Sequence, residues 1–209
     1  MFITLEGPEG SGKSSQLPEL ALWLRQQGFQ VHTTREPGGT EISDQIRAIL
    51  GDLANTAMKP RTEILLFLAA RAQLVEEVMR PLLLTNTIIL CDRYADSTLA
   101  YQGYGHGVPL DTLRQLLDFA TGGLQPDLTI LFDLDVEIGL NRRKNSGGEW
   151  NRLDAYALAF HQRVRKGYLA LAAEEPQRWK IVNADQPFNK VQLDLRQVLA
   201  KTLSLSNPV

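Results

Sequence analysis

The stretch Gly7-Pro8-Glu9-Gly10-Ser11-Gly12-Lys13-Ser14 fits the pattern G-x-x-x-x-G-K-[ST], which is typical of a phosphate-binding loop. The apolar run Phe2-Ile3-Thr4-Leu5 before it predicts a buried strand, and apolar residues after it recur at helical spacing as far as Gly28. Glycines let backbone N–H groups surround an anion, and the N-terminus of the following helix adds partial positive charge. We therefore expect this loop, together with Ser15, to bind the phosphates of a nucleotide.

Two side chains of the loop have specific expected roles. Lys13 would reach the β- and γ-phosphates, and Ser14 would ligate Mg²⁺. Asp92 follows a later apolar run and is the best candidate to organise Mg²⁺ through water, because this metal keeps several waters and uses few carboxylates. The alternative is a glycine-rich turn with a solvated lysine, but the flanking strand and helix favour the phosphate loop.

Length and composition narrow the class of protein. The 209 residues fit a single domain, 1–209, and 24 acidic against 22 basic residues leave no overall positive field, so we expect no nucleic-acid or membrane partner. The one cysteine, Cys91, excludes an internal disulfide and is expected to be a small core residue in a reducing compartment. No apolar run approaches about 18 residues, and the N-terminus leads directly into the predicted strand. These features predict a soluble cytoplasmic protein.

Strand-like and helical patterns alternate along the chain. Strands are predicted at residues 2–6, 30–34, 87–92, 128–133 and 179–183. This alternation implies right-handed crossovers and a parallel sheet with helices on both faces. We therefore predict an α/β fold of three layers, a five-stranded parallel sheet flanked by helices, with ligands bound at the carboxyl ends of the strands.

Charged residues follow several of the predicted strands. Arg35, Asp92 and Arg93 should emerge at the carboxyl edge and surround the phosphate loop. Each could instead be a solvated loop residue or part of a structural ion pair, and this alternative carries most weight for Asp133, which has no adjacent arginine. The three histidines have no metal-ligand spacing.

Residues 142–152 differ from the rest of the chain. They are polar, basic at both ends, and contain Gly147-Gly148. Such a segment buries too little apolar surface to hold one conformation. We therefore predict a short basic lid, mobile in the absence of nucleotide.

Several blocks of the sequence together resemble the thymidylate kinase family. They are LEGPEGSGKS (5–14), TREPGGT (34–40), FLAAR (67–71), DRY (92–94) with residues 97–102, PDLT (126–129), and the late Arg163, Arg165 and Tyr168. The resemblance spans nearly the whole chain. It implies a P-loop kinase that uses Mg²⁺ and transfers the γ-phosphoryl group of ATP, bound by the loop from Gly7 to Ser15, to dTMP in dTTP biosynthesis. It also implies a homodimer.

The resemblance further implies roles for residues of the dTMP site. Arg93 would hold the phosphate, Arg71 would hydrogen-bond the thymine, and Phe67 would stack on it. Tyr101 would lie beneath the deoxyribose and leave no room for a 2′-hydroxyl, and Glu9 would face the sugar. For Tyr101 the alternative is a core tyrosine whose hydroxyl bonds a backbone carbonyl. The other expected dTMP contacts are Arg35, Pro37, Ser97, Thr98 and Gln102, and the Glu36-Pro37 peptide is expected to be cis.

The phosphate loop contains no arginine, and the resemblance to the bacterial type implies that the lid supplies catalytic cations in addition to Lys13 and Arg93. The candidates are Arg142, Arg143 and Arg152. Asn151 stands where an aspartate is usual, which leaves the particular lid cation open.

The sequence fits two other classes of P-loop protein less well. A regulatory GTPase needs D-x-x-G and N-K-x-D; the first is absent, and the nearest approach to the second, Asn189-Lys190-Val191-Gln192, lacks the aspartate. A deoxynucleoside kinase phosphorylates a neutral hydroxyl, so it would need a general base and fewer arginines directed at a phosphate. The sequence does not rank dUMP against dTMP as acceptor.

Overall fold

The computed structural model describes residues 1–145 and 151–205. Its sheet is entirely parallel, with the strand order β2-β3-β1-β4-β5. The strands are β1 (Phe2–Glu6), β2 (Val31–Arg35), β3 (Ile88–Asp92), β4 (Leu128–Asp133) and β5 (Trp179–Asn183). The predicted five-stranded parallel sheet is confirmed, and each strand lies within one residue of its predicted position.

Helices connect the strands. They are α1 (Lys13–Gln26), α2 (Glu41–Gly51), α3 (Pro60–Leu74), α4 (Arg80–Leu83), α5 (Ala95–Thr98), α6 (Leu110–Thr121), α7 (Val136–Asn145), α8 (Leu158–Glu174) and α9 (Phe188–Thr202). Two π-helical segments extend this set: Val75–Met79 joins α3 to α4, and Leu99–Gly105 continues α5. Helix α6 is capped by Gly122, whose left-handed backbone (φ 56°) suits a residue without a Cβ.

Apolar side chains cover both faces of the sheet because successive residues of a strand point to opposite sides. On one face, Ile3 and Leu5 of β1 belong to a buried cluster with residues of α1 and α9. On the other face, Leu131 of β4 packs in a cluster with α6 and α8. Cys91 is fully buried on this second side, as predicted. Among residues 1–145 and 151–205, no helix is both long and apolar enough to cross a membrane.

Candidate active site

A cavity of about 600 Å³ opens at the carboxyl edge of the sheet. Its walls come from the phosphate loop, the ends of β2 and β3, α3, the segment Leu99–Gly105 and the start of the predicted lid. Most of the predicted site residues line it, namely Glu9, Gly10, Ser11, Gly12, Lys13, Ser14, Ser15, Arg35, Pro37, Phe67, Arg71, Asp92, Arg93, Ser97, Thr98, Tyr101, Gln102, Arg142 and Arg143. Gly7, Pro8 and Arg152 do not line it.

The phosphate loop holds Lys13 in place. Its ammonium donates to the carbonyl oxygens of Gly7 (2.9 Å) and Pro8 (3.0 Å) and to Ser11 Oγ (3.1 Å). Burial, with the nearby Arg93 guanidinium, lowers the pKa of Lys13 to about 8. Gly7 and Pro8 therefore contribute to the site through Lys13. Gly7 has a positive φ of 144°, and a Cβ there would lie 2.6 Å from the Phe132 carbonyl oxygen, so the turn requires glycine.

The two predicted metal ligands are in contact. The Ser14 hydroxyl donates to Asp92 Oδ2, where β3 ends. A hydroxyl and a carboxylate are hard oxygen donors of the kind that Mg²⁺ prefers. The donor set at this position thus fits the metal that the sequence predicted.

Arg93 directly follows β3 and has a positive φ of 73°, unusual for a residue other than glycine. Its Nη2 forms an ion pair with Glu9 Oε1 at 2.9 Å, and its Nη1 donates to the Gly7 carbonyl oxygen at 3.1 Å. Burial would raise the pKa of Glu9, but Arg93 and Lys13 lower it to about 2. Glu9 is therefore a carboxylate near neutral pH, paired with Arg93 and further stabilised by the nearby charge of Lys13.

Tyr101 lies in the same wall of the cavity. The Arg93 guanidinium sits over its ring, 5.0 Å from the centroid, and its hydroxyl donates to Glu9 Oε1 at 2.8 Å. The hydroxyl partner is thus a carboxylate of the phosphate loop, whereas the core alternative expected a backbone carbonyl.

Helix α3 supplies a second arginine. Arg71 is buried and donates from Nε to Glu36 Oε2 (2.7 Å), from Nη1 to Thr98 Oγ1 (3.0 Å) and from Nη2 to the Tyr94 carbonyl oxygen (3.0 Å). Phe67, one turn earlier, lines the cavity with it. The Glu36-Pro37 peptide is cis, as expected.

The described arginines at the start of the predicted lid face the cavity. Arg142 donates to the Ala184 carbonyl oxygen (2.8 Å) and to Asp185 Oδ1 (3.0 Å), just after β5. Arg143 forms an ion pair with Asp154 at 3.0 Å. Residues 146–150, which include Gly147-Gly148, lie outside the described part of the chain, so the expected mobility of the lid stays a prediction.

Arg152, at the far end of the lid, has a different environment. It forms an ion pair with the buried carboxylate of Glu63 and donates to Tyr156 Oη (2.9 Å) and the Leu50 carbonyl oxygen (3.1 Å). These contacts direct it toward α2 and α3. In this arrangement Arg152 anchors the end of the lid.

Some site residues were not predicted from the sequence. Glu36 is the carboxylate partner of Arg71, and Arg47 lines the cavity while donating to the Pro37 carbonyl oxygen at 2.9 Å. The end of the cavity nearest β5 and α9 is lined by Gln16, Ala184, Gln186, Phe188 and Val191. The sequence did offer a signal for these residues: the loop after β5 follows a parallel strand, and all parallel strands of the sheet have their carboxyl ends at the ligand edge.

For Asp133 the structure shows the second alternative, a structural ion pair. Arg165 of α8 donates to both of its carboxylate oxygens, at 2.8 and 3.0 Å. This arginine is 32 residues away in the chain, which is why no neighbouring partner was visible in the sequence.

Comparison with known proteins decides the family. The family model described as "Thymidylate kinase" matches residues 5–195. The chain belongs to the thymidylate kinase family. A thymidylate kinase of Herpetosiphon aurantiacus is 51% identical over 208 residues, covering 88% of each chain. One of Nitratidesulfovibrio vulgaris is 50% identical and covers 97% of this chain and 93% of its own.

The fold agrees with that of a solved family member. The crystal structure of thymidylate kinase from Ehrlichia chaffeensis superimposes with a TM-score of 0.79 at 32% identity, covering 95% of this chain and 98% of the other. The cavity described above therefore lies in a fold shared with a thymidylate kinase.

Proposed function

We propose that this protein phosphorylates dTMP to dTDP with ATP as donor, using the cavity at the carboxyl edge of the sheet. The dTMP kinase activity follows from membership of the family. One observation supports the assignment of the site: Lys13 and Arg93, which come from different strand ends, donate to the same Gly7 carbonyl oxygen at 2.9 and 3.1 Å. Two cations thus converge where a donor and an acceptor phosphate would meet.

The chemistry of this reaction suits such a site. The attacking group is a phosphate oxygen, already anionic near neutral pH, so catalysis depends on positioning and charge neutralisation more than on a general base. Two polyanions repel each other as they approach. Lys13 on the donor side and Arg93 on the acceptor side would offset that repulsion. Arg142 and Arg143, at the start of the predicted lid, are further cations that line the cavity.

Mg²⁺ would be held by Ser14 and, through water, by Asp92, whose side chains are in contact. When bound, the metal supplies charge neutralisation at the ATP phosphates. Lys13 and the backbone N–H groups of the phosphate loop would bind and orient the same phosphates.

The acceptor side is proposed to lie between α3 and the segment Leu99–Gly105. Arg71 would hydrogen-bond the thymine, with its guanidinium orientation fixed by Glu36, and Phe67 would stack on the base. Tyr101 would pack beneath the deoxyribose. The remaining proposed contacts are Glu9, Arg35, Pro37, Ser97, Thr98 and Gln102.

We also propose a homodimer in the cytoplasm, acting in deoxythymidine nucleotide biosynthesis. Leu65 on α3 and Phe119 on α6 are 54% and 90% exposed, although both helices pack against each other. A contiguous exposed apolar patch is typical of a surface that a partner covers, and we propose that these two side chains belong to one. A second copy of this chain is the proposed partner.

Product analysis tests the proposed reaction. The protein, ATP and Mg²⁺ are incubated with dTMP, thymidine and dUMP as competing acceptors, and the products are separated and quantified. We expect dTDP to dominate. Predominant phosphorylation of thymidine would indicate a deoxynucleoside kinase instead.

A further inference from the structure

Glu6, the last residue of β1, is fully buried and has no role in the site as described so far. Its Oε1 accepts a hydrogen bond from the Tyr94 backbone N–H at 2.7 Å. Its Oε2 accepts from Ser97 Oγ at 2.6 Å and from Tyr168 Oη at 2.9 Å. Both carboxylate oxygens are therefore engaged.

The same two hydroxyls also contact Arg93. Its Nη1 donates to Tyr168 Oη at 3.1 Å and to Ser97 Oγ at 3.3 Å. The two hydroxyl oxygens lie 2.8 Å apart. A carboxylate accepts hydrogen bonds and has no proton to donate, so the Ser97 and Tyr168 hydroxyls can donate their protons to Glu6 or to each other. The hydroxyl oxygens then keep lone pairs that accept hydrogen bonds from Arg93.

Glu6 also fixes the backbone next to Arg93. The Tyr94 N–H that it binds belongs to the peptide directly after Arg93, whose positive φ is 73°. A residue with a side chain adopts this conformation only where its surroundings hold it. One carboxylate thus constrains Arg93 at its backbone and, through two hydroxyls, at its guanidinium.

We propose that Glu6 is a positioning residue, which orients the Arg93 guanidinium toward the acceptor phosphate through Ser97, Tyr168 and the Tyr94 amide. The inference rests on the proposed function, since it takes the target of Arg93 to be the phosphate of dTMP. Glu6 does not line the cavity and therefore acts through Arg93. Burial, with a contribution from Asp96, raises the pKa of Glu6 to about 7 against the opposing effect of Arg93.

The substitution Glu6→Gln tests this arrangement because it keeps the shape and changes the hydrogen bonding. If the amide oxygen keeps the Tyr94 N–H, the amide NH₂ donates toward both hydroxyls, and one hydroxyl proton is left without an acceptor and faces Arg93. In the flipped orientation the amide NH₂ faces the Tyr94 N–H, so two hydrogen-bond donors oppose each other. Both orientations disturb the contacts that hold Arg93.

The measurement compares two ligands that differ only in the phosphate. Dissociation constants of dTMP and thymidine are determined at pH 8, where the Glu6 carboxyl of the wild type is mainly ionised. We expect Glu6→Gln to weaken dTMP binding by about tenfold, the size of one lost charge-assisted interaction, while thymidine binding changes less than about twofold. Equal weakening of both ligands, or unchanged dTMP binding, would overturn the proposal.

Asp96→Asn is the matched control. Asp96 is also a buried carboxylate, but it pairs with Arg178 at 2.6 Å, and no described contact joins it to Arg93. We expect this variant to leave the ratio of the two dissociation constants unchanged. A change in the ratio as large as that of Glu6→Gln would show a general effect of losing a buried charge and would contradict the positioning role.

Arg93→Ala separates this inference from the proposed function. If Arg93→Ala weakens dTMP binding and Glu6→Gln does not, the positioning role fails and the phosphate assignment stands. If Arg93→Ala leaves dTMP binding unchanged, the phosphate assignment itself fails. If the positioning role of Glu6 and the phosphate assignment of Arg93 are both correct, the double variant Glu6→Gln/Arg93→Ala should bind dTMP as weakly as Arg93→Ala alone.

Should Glu6→Gln not fold, Tyr168→Phe provides the same comparison. It keeps the buried ring and removes one hydroxyl that links Glu6 to Arg93. We expect a loss in dTMP affinity of about threefold to tenfold with thymidine affinity unchanged. Unchanged dTMP affinity in this variant would also overturn the proposal.

Discussion

Arg93 concentrates several contacts in one guanidinium, which donates to Glu9, Gly7, Ser97 and Tyr168. Its place after an apolar strand was enough to predict it as a site residue. Its partners were not predictable in the same way, because they lie in the phosphate loop, α5 and α8. The same holds for Arg71, whose partner Glu36 lies 35 residues away. Pairing of buried charges depends on the fold, and a single sequence does not display it.

The first prediction concerns Arg93. Arg93→Ala should lower kcat/KM for dTMP by about 100-fold, because the guanidinium is proposed both to bind the phosphate and to aim it. Arg93→Lys should recover only part of this loss, since an ammonium lacks the planar fork. Steady-state kinetics measure both. Arg61→Ala, an exposed arginine on α3, is the control. A fall of less than about tenfold in Arg93→Ala would contradict the phosphate assignment.

A second prediction concerns Tyr101 and sugar selectivity. Tyr101→Phe loses the hydrogen bond to Glu9 and keeps the ring, so discrimination against a 2′-hydroxyl should persist. Tyr101→Ala should relax it by about 1 to 3 kcal/mol, the cost of an unsatisfied buried hydroxyl. The measurement is the ratio of kcat/KM for dTMP and ribothymidine monophosphate. Unchanged discrimination in the alanine variant would exclude steric selection by this ring.

Glu63 provides a prediction about pH. Burial would raise its pKa, but His106, with Nε2 3.5 Å away, Arg152 and Gln102 lower it to about 2. Because this is below the ordinary 4.5, ionised Glu63 stabilises the fold above pH 4.5, and the stabilisation is lost as the pH falls toward 2.

Denaturant unfolding at a series of pH values measures this contribution. Between about pH 5 and about pH 3, wild type should lose roughly 2 kcal/mol more than Glu63→Gln. Glu19→Gln, at an exposed position on α1, should follow the wild-type curve. Parallel curves for wild type and Glu63→Gln would show that Glu63 is not the group responsible.

At the scale of elements, strand positions were predictable because a parallel strand is an apolar run followed by charged residues at the ligand edge. The two π-helical segments were not predicted. Each directly adjoins an α-helix and differs from it in the spacing of its backbone hydrogen bonds. The lid was predicted as one unit from its composition. In the structure, its two described ends have different partners: Arg142 contacts the loop after β5, and Arg152 is paired with Glu63 on α3.

This difference refines the prediction for the lid cations. Arg142→Ala and Arg143→Ala should lower kcat by more than about tenfold, with a smaller effect on dTMP binding, because their side chains line the cavity. Arg152→Ala should chiefly lower the free energy of unfolding, by about 3 kcal/mol, since it leaves Glu63 buried with fewer partners. Kinetics and denaturant unfolding are measured for all three. Unchanged kcat in both Arg142→Ala and Arg143→Ala would reject the lid-cation hypothesis.

At the scale of the whole molecule, length and alternation predicted one α/β domain, and the fold confirms the sheet. Composition gave no information about association, because an interface depends on which apolar side chains stay exposed after folding. On α6, Leu116 lies in the apolar stripe with Leu113, Leu117 and Ala120 and packs against the core, whereas Phe119 lies outside that stripe and is 90% exposed. The exposure of Phe119 in the folded protein identifies it as a candidate interface residue.

The proposed homodimer leads to a prediction about mass in solution. Phe119→Asp should shift the protein from dimer to monomer in sedimentation equilibrium, because it places a charge in an apolar contact. Leu84→Asp, at a residue that is 87% exposed and lies outside α3 and α6, should leave the mass unchanged. A monomeric wild type, or a dimeric Phe119→Asp variant, would contradict this surface.

The shared Gly7 carbonyl has a consequence for product release. Lys13 is held by oxygen atoms of Gly7, Pro8 and Ser11, and Arg93 by oxygen atoms of Gly7 and Glu9, so both cations have partners within the protein itself. A buried unpaired charge would be costly, and such a site would hold its phosphates too long. Here, the oxygens of Gly7, Pro8, Ser11 and Glu9 are within reach to pair with these cations as ADP and dTDP leave. The same contacts that set the site in place before binding thus favour turnover after it.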